Sequence, residues 1–370
     1  MARSEEEVWR LPATARGKDT RIPGGSGSHR SPSLSPAAKA RLSRIVNRTP
    51  EVMVKVTGRT RGVTHLKAHL DYLTRNGKLL AETQDGEQVQ DRNRLRELHD
   101  EWLLANAAEA RGRNTPQAAQ SVGIILSMPA GAPPDRVHDA ARSWARETFA
   151  GKHDWIMVRH DDKDHPHVHV SVRAVGSDGR RLAPGPDDLQ LWRERFAREL
   201  RRLGVAAEAT PRQARGKVPR ADRAPVHQAE KRGGKSSARG RQNNDAMHTA
   251  KAPKPPQPRD WQRDWQRDIQ VRQEGIRKAY LEHASELNQG DVADRRLARD
   301  IERFVADMPV PLTRRQALAV ELRQVLEQRS IPIAAPSEQP SPSLTDLHRA
   351  NRQEPRQTPQ RQEPEPDRRR

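Results

Sequence analysis

The sequence predicts an α+β domain in which helices flank a mainly antiparallel sheet. Hydrophobic residues concentrate between about residues 50 and 205. Within that stretch, strand-like alternation and helix-like spacing of apolar residues follow one another along the chain. The last two strand-like segments, 155–159 and 165–175, are separated by a short acidic turn, which favours antiparallel pairing between them. This order of elements is typical of a sheet packed by helices.

The other elements of this domain follow from the same patterns. Alternating valines from residue 52 to 56 predict a strand, and apolar residues recur at helical spacing from 63 to 73, before the C-cap signal Asn76-Gly77. The remaining predicted elements are a short strand near 79–83, a helix at about 92–111, a strand at 122–127, a helix at 134–150 and a closing helix at 187–203.

Composition limits how much of the chain can share one core. Of 370 residues, 33% are hydrophobic and 3% aromatic, too few to fill a core over the whole length. Residues 211–260 contain 13 Lys and Arg against 4 Asp and Glu and no Phe, Trp or Tyr, which predicts a basic linker. The predicted organisation is a disordered N-terminal tail at 1–48, a compact domain at 49–208, a basic linker at 209–258, a helical region at 259–330 and a disordered tail at 331–370.

Within the helical region, the tetrad Asp-Trp-Gln-Arg occurs twice in succession from residue 260. The repeat places Trp261 and Trp265 on one helical stripe. Such a stripe serves either to dock a partner or to pack among the C-terminal helices.

The charge balance predicts a polyanionic partner. The chain has 68 Lys and Arg against 49 Asp and Glu, a formal charge of +19, and each neutralised phosphate releases condensed counterions. Nucleic acid is the first candidate and an anionic membrane the alternative. No apolar run approaches the roughly 20 residues that span a bilayer, and the N-terminus lacks a signal-peptide core, so we expect a soluble, cytoplasmic protein without membrane insertion. With no cysteine, any metal must be held by His, Asp or Glu.

The densest cluster of chemically functional residues runs from His160 to Val170, with the sequence His-Asp-Asp-Lys-Asp-His-Pro-His-Val-His-Val. In the second strand of the predicted pair, His165, His167 and His169 fall on one face and valines on the other, as the period of two requires. Packing alone does not select imidazoles, whereas a divalent ion needs converging neutral rings on a rigid support. The pattern favours a metal site over a solvated histidine-rich edge.

Three ligands with an open position are typical of a catalytic metal site, since the substrate completes the coordination sphere. His167 and His169 are the first two candidates. The third is either His160, which a partner strand can offer across the ladder, or His165 from the same strand, and we favour His160. Two residues of the acidic turn can accept a ring N–H and fix its tautomer, although a solvated turn explains them equally well: Asp162 and Asp164.

A nucleophile is suggested by the scarcity of tyrosine, because the chain has only two. Tyr72 lies off the apolar stripe of its predicted helix and shares a face with His65 and His69. A role at the edge of the core explains Tyr72 as well on these grounds alone. Tyr280 falls beside Ile276 in the C-terminal helical region, where packing is the expected role.

These residues resemble motifs of the plasmid relaxases, or mobilisation nucleases, of the MobA/VirD type within the HUH endonuclease superfamily. The resemblance covers roughly residues 50–205. The segment His-Leu-Asp-Tyr-Leu-Thr-Arg-Asn-Gly-Lys at 69–78 resembles the first motif of the family. The segment Ser-Met-Pro-Ala-Gly at 127–131 resembles the second motif, and the histidine segment at 160–169 resembles the third. The three motifs occur in family order, and the third is the specific one.

Carried over residue by residue, the resemblance implies that Tyr72 is the nucleophile. It implies an HUH-endonuclease-like fold for 49–208 as a relaxase nuclease domain. The remaining implied roles are metal ligation by His160, His167 and His169, support by Asp162, Asp164 and His165, and DNA-backbone contacts by Ser127, Arg75 and Lys78.

The implied reaction is site- and strand-specific nicking at an origin of transfer. A divalent ion, Mg²⁺ or Mn²⁺, polarises a non-bridging phosphate oxygen, and the tyrosine attacks in line to leave a 5′-phosphotyrosyl link and a free 3′-hydroxyl. The substrate must be single-stranded or extruded at the nick. The resemblance also implies accessory relaxosome proteins and a type IV secretion coupling protein as partners, in the bacterial cytoplasm or exported with the transferred strand.

Two rival functions follow from the same residues. A replication-initiation nuclease of the superfamily shares the metal site and the tyrosine but nicks a replication origin, and the order of the motifs argues against it. A non-enzymatic basic DNA-binding protein with a structural metal predicts that Tyr72 is dispensable. The charge of the last 160 residues suggests that they add non-specific DNA affinity and contacts to other transfer proteins.

Overall fold

A computed structural model of the chain describes residues 34–110, 118–217, 237–251 and 260–328. One six-stranded sheet lies at its centre, and its strands are β1 Met53–Arg61, β2 Ala81–Thr83, β3 Gln88–Val89, β4 Ala119–Ser127, β5 Trp155–His160 and β6 His167–Arg173. The spatial order is β1-β4-β6-β5-β2-β3, and every neighbouring pair is antiparallel. This arrangement confirms the predicted α+β class.

The helices of the described residues are α1 Pro36–Val46, α2 Gly62–Leu73, α3 Arg92–Glu109, α4 Pro134–Phe149, α5 Pro186–Arg202, α6 Ser237–Lys251, α7 Asp260–Leu287, α8 Val292–Ala306 and α9 Arg314–Gln328. The chain divides into two units, of which the first contains the sheet and the second contains α6 and α9. No helix among the described residues combines the length and the apolar character needed to cross a membrane.

Helices α4 and α5 cover one face of the sheet. The valines of β6, at positions 168, 170 and 172, are at most 1% exposed and share a core with these helices. Trp144, Phe149 and Trp192 pack edge to face there, with ring centroids 5.5–5.7 Å apart. The indole N–H of Trp144 donates to the Trp192 carbonyl at 3.0 Å, so this buried polar group is paired.

Helices α2 and α3 lie on the opposite face. Leu66, Leu70 and Leu73 of α2 form a second core with α3 and with Ile156 and Val158 of β5. Because successive residues of a strand point to opposite faces, the histidines between the β6 valines project toward the face that α2 covers. The alternation read from the sequence therefore places these imidazoles beside the helix that carries Tyr72.

The prediction of a disordered N-terminal tail at 1–48 does not hold for residues 36–46, which form helix α1. Ser35 caps the helix by accepting a hydrogen bond from the Ala38 N–H at 3.2 Å. Leu42 and Ile45 are at most 2% exposed and pack with residues of α7 and α8. Their apolar spacing is visible in the sequence, but the covering surface comes from more than 200 residues later in the chain. Residues 1–33 lie outside the described part.

The predicted linker and helical region are also organised differently. Helix α6 falls within the predicted linker, and its Ala246 and Ala250 pack with Ala319 of α9. Helices α7 and α8 share the unit of the sheet instead of standing apart from it. The rest of the linker at 218–236 and 252–259, the C-terminal tail and the side chains of Trp261 and Trp265 lie outside the described residues.

Two further differences concern the strands. Strand β3 pairs with β2 as a short hairpin that the sequence pattern does not reveal. Strand β6 begins at His167, so the prediction that His165 belongs to this strand is wrong. Pro166 precedes the strand and has no N–H to donate to the ladder, while its carbonyl accepts from the Met128 N–H at 3.1 Å.

Candidate metal centre and nucleophile

Three histidines converge where β5 ends and β6 begins. The antiparallel register sets His160 opposite His167, and His169 follows two residues later on the same face. One ring nitrogen of each lies within 4.8 Å of the others, close enough for one ion to bridge the three. His160 and His167 are buried and His169 is half-buried. The ladder thus supplies the rigid support that a metal site needs.

Two backbone carbonyls orient the cluster. The Nε2 of His160 lies 2.7 Å from the Leu73 carbonyl oxygen, and the Nδ1 of His167 lies 3.2 Å from the His165 carbonyl oxygen. Because a carbonyl can only accept, each of these nitrogens must carry the proton. The free lone pairs in the neutral rings are therefore on Nδ1 of His160 and Nε2 of His167, an outer-shell arrangement that metal-binding histidines commonly use. His165 contributes its backbone here, whereas the sequence suggested its ring.

The electrostatics of the cluster favour neutral imidazoles. Burial, together with the neighbouring histidines, lowers the pKa of His169 to about 3, and burial also lowers the pKa of His167. The rings of His167 and His169 are then unprotonated at neutral pH, as ligation requires. The Asp162 Oδ1 lies 3.5 Å from Nε2 of His167, so a lone pair faces a carboxylate across a gap that suits a cation. The donor set fits a divalent ion on this observation.

Tyr72 stands beside the cluster on the last turn of α2. Its ring centroid lies 6.4 Å from those of both His160 and His169, and 56% of the residue is exposed. The next residue, Leu73, provides the carbonyl that receives the His160 N–H. The helix that carries the tyrosine is thereby joined to a candidate metal ligand by one direct hydrogen bond.

The turn after α2 brings Arg75 into the same site. Arg75, Asn76 and Gly77 have φ values of 52°, 59° and 78°, so three consecutive residues are left-handed. The Arg75 Nη2 lies 2.7 Å from the Asp162 Oδ2, and its guanidinium carbon lies 5.1 Å from the Tyr72 ring centroid. Although desolvation raises it, the pKa of Asp162 is held below its usual value by His167 and Arg75. Arg75 therefore contacts both Tyr72 and the turn between β5 and β6.

The other predicted site residues lie at different distances from this centre. Ser127 ends β4 directly opposite His167 and is buried, with its hydroxyl donating to the Met128 carbonyl at 3.3 Å. Lys78 and Asp164 are exposed. Among the described residues neither side chain forms a hydrogen bond or an ion pair. Their predicted roles toward DNA and metal remain predictions.

His69 is a residue of the site to which the sequence analysis gave no role. Its Nε2 is buried and has no hydrogen-bond partner among the described residues. A Cβ added at Gly123 would lie 3.4 Å from this nitrogen, so the glycine makes room for the ring. Burial first, then His65, lowers the pKa of His69 to about 4. The signal in the sequence is its position three residues before Tyr72 on the same helical face.

An antiparallel sheet with three converging histidines on its central strands and a tyrosine on a covering helix is the arrangement expected of the HUH-type nuclease domains that the sequence motifs resemble. Residues 72–204 match the family model described as "Relaxase: MobA/VirD2-like, nuclease domain". This match supports the resemblance to MobA/VirD-type relaxases that the sequence motifs predicted.

The chain is similar to T-DNA border endonucleases VirD2. It is 28% identical over 184 residues to that of Rhizobium radiobacter, covering 45% of this chain and 43% of the relative. It is 30% identical over 135 residues to that of Rhizobium rhizogenes, covering 33% and 30%. The chain thus spans less than half the length of these curated relatives. A solved structure, "Molecular Basis of Vancomycin Resistance Transfer in Staphylococcus aureus", aligns with 11% identity and a TM-score of 0.30, covering 44% of this chain and 99% of its own.

Proposed function

We propose that this chain is a relaxase that nicks one DNA strand at an origin of transfer by attack of Tyr72, and so starts conjugative mobilisation. The observation that carries the proposal is the exposed Tyr72 ring 6.4 Å from two rings of a three-histidine cluster. A phosphate that reaches the cluster also meets the phenol. The family match over residues 72–204 supports the same activity.

The other tyrosine is unsuited to this role. Tyr280 is fully buried among the helices α1, α7 and α8, and its hydroxyl donates to the Ala214 carbonyl at 3.0 Å. Its burial also raises the pKa of the phenol. Because the chain contains two tyrosines, Tyr72 is the one whose hydroxyl a DNA strand can approach.

The residues that would hold a divalent ion, Mg²⁺ or Mn²⁺, are His160 through Nδ1, His167 through Nε2, and His169. When bound, such an ion supplies Lewis-acid polarisation of a non-bridging phosphate oxygen. Asp162 lies beside His167 and adds negative charge that favours a cation at this point. The hydrogen bond from His160 to Leu73 keeps the ligand and the tyrosine-bearing helix in register.

The chemical step forms one bond and breaks another. The Tyr72 oxygen bonds to phosphorus while the bond between phosphorus and the 3′ oxygen breaks. The phenol loses its proton, and the leaving 3′ oxygen gains one as a free hydroxyl. A neutral phenol is a weak nucleophile and needs an acceptor for its proton. The 5′-phosphotyrosyl product retains a phosphodiester, so reverse attack by a 3′-hydroxyl rejoins a strand.

In this proposal DNA enters the site as a single strand or an extruded one, and the basic surface follows its backbone. Ser127, Arg75 and Lys78 are the proposed contacts to its backbone, and residues 49–208 are the proposed catalytic domain. The formal charge of +19 favours the polyanion. Accessory relaxosome proteins, a secretion coupling protein and export with the strand belong to the same proposal.

The decisive experiment incubates the protein with supercoiled plasmid that carries its mobilisation region, in Mn²⁺, Mg²⁺ or EDTA. We expect metal-dependent nicking with protein attached to the 5′ end, and loss of both with Tyr72→Phe. Tyr280→Phe is the matched control. It removes one hydroxyl from the helical core, leaves the buried Ala214 carbonyl without this donor at a cost of about 1–3 kcal/mol in stability, and should still nick. Nicking that survives Tyr72→Phe would exclude this nucleophile. Binding without any nicking of cognate DNA would favour a DNA-binding protein instead.

A further inference from the structure

A cavity of about 260 Å³ opens between α2 and α3. Its apolar floor is Leu70 and Leu95, which are at most 3% exposed. His99 joins the two helices beneath it, since its Nε2 donates to the Val63 carbonyl at 3.1 Å. A preformed concave site with an apolar floor and a few polar groups at its rim is the usual form of a ligand site.

The rim of this cavity is strongly cationic. Lys67 and Asp71 lie one turn apart on α2, and Arg92 and Arg96 lie one turn apart on α3. Three cations against one carboxylate leave an excess of two positive charges. Within the described part of the chain, Lys67 and Arg96 form no ion pair, and the Arg92 Nε donates to the Asn76 carbonyl at 3.3 Å. The rim therefore suits an anion.

One turn connects this cavity to the nuclease centre. Asp71, at its rim, directly precedes Tyr72 in α2. In the left-handed turn that follows, Arg75 reaches the Tyr72 ring and Asp162, while the next residue, Asn76, lines the cavity. Gly77 holds this turn against α3, because a Cβ there would lie 3.3 Å from the backbone nitrogen of Arg92. The two sites are rigidly spaced by a few residues.

We propose that the cavity is a subsite for one nucleotide of the bound strand, close to the one whose phosphate Tyr72 attacks. The phosphate of this nucleotide lies against Lys67 and Arg96. This inference rests on the proposed function, since it requires a DNA strand at the nuclease centre. It adds an interaction that holds the strand in register beside the scissile phosphate.

The test measures binding of a short fluorescein-labelled single strand by anisotropy across a salt series. The variant is Lys67→Ala/Arg96→Ala. The matched control is Arg296→Ala/Arg299→Ala on α8, which removes the same charge from exposed helix positions. We expect roughly tenfold weaker binding for the cavity variant at low salt and a salt slope smaller by about 0.7 for each phosphate that the variant no longer neutralises. The control should bind like wild type, and thermal melting should show both variants folded.

A methylphosphonate scan then locates the phosphate that the cavity binds. Each phosphate of the strand is neutralised in turn. At one position near the nick, the neutral phosphate should weaken DNA binding by the wild-type protein but should not weaken binding by the cavity variant any further. The subsite would be overturned if the cavity variant bound DNA like the control. It would also be overturned if every methylphosphonate weakened binding by the cavity variant equally. Nicking by the wild-type protein would uphold the proposed function in either case. A wild-type protein that neither nicks its plasmid nor binds the strand would overturn the function and the subsite together.

Discussion

Replacing Arg75 tests whether this residue positions the nucleophile. Its guanidinium pairs with Asp162 at 2.7 Å and lies 5.1 Å from the Tyr72 ring centroid. Because the turn that carries it is left-handed, the side chain is directed to the site by the backbone. We expect Arg75→Ala to slow strand cleavage while lowering the free energy of unfolding by at most about 2 kcal/mol.

The magnitude follows from exposure. The paired side chains of Arg75 and Asp162 are 39% and 49% exposed, which places the pair among surface ion pairs worth about 0.2–1 kcal/mol. A cation over an aromatic ring at an exposed site adds about 0.5–1 kcal/mol. If both interactions favour the reactive position of Tyr72, their removal slows cleavage by between about threefold and thirtyfold. Because both contacts exist in the folded protein, the free energy of unfolding should fall by no more than their sum, about 2 kcal/mol.

The assay is single-turnover cleavage of a labelled single strand at saturating Mn²⁺ by excess protein. Arg75→Ala, Asp162→Ala and the double variant form a cycle, and the double variant should be little worse than the poorer single one. Arg75→Lys retains the charge but loses the planar fork, so it should recover only part of the rate. Effects of the two single changes that simply add would refute the positioning role. Weaker DNA binding by Arg75→Ala, together with tighter binding by Asp162→Ala, would show that the proposed contact of Arg75 with the DNA backbone accounts for the slower cleavage.

Three other outcomes are expected. Mn²⁺ at about 100 times its Kd should raise the free energy of unfolding by about 2.7 kcal/mol, as measured by thermal unfolding. His167→Ala should abolish this stabilisation. Equal stabilisation of the variant by Mn²⁺ would contradict the three-histidine site. The pKa values of His69 and His169 are lowered to about 4 and about 3, so the unfolded chain binds more protons below about pH 6.5. Urea unfolding of the metal-free protein should therefore show stability falling from pH 6.5 toward pH 4, less steeply in His69→Gln, and a flat profile would argue against the burial of these rings. Gly123→Ala brings a Cβ to 2.7 Å from Thr57 Oγ1 and 3.2 Å from the His69 Cε1, so we expect a loss of about 1–3 kcal/mol, and unchanged stability would show that both side chains move freely.

Much of the site could be predicted from local patterns. Alternation of histidine and valine along 167–170 dictates that the two imidazoles share one face, because the period of a strand is two residues. Helical spacing sets Tyr72 apart from the leucines of α2, and an absence of cysteine limits metal ligands to His, Asp and Glu. These inferences need no knowledge of which segments meet.

The N-terminal helix and the charged cavity depended on distant segments. Leu42 and Ile45 are buried by residues of α7 and α8, and a short helix is stable only when such a surface covers it. Lys67 and Arg96 reach one cavity because α2 packs against α3. Neither the burial of α1 nor the shared cavity can be predicted from a short segment of the sequence.

Period and charge are properties of the sequence by itself, because they depend on neighbours a few positions apart. The tertiary structure decided between His160 and His165, since only the β5–β6 register brings His160 opposite His167 and the proline before β6 leaves His165 outside the ladder. It also placed the Leu73 carbonyl against His160. Such contacts join residues 87 apart in sequence, and their free energy exists only once the sheet and the covering helix have packed.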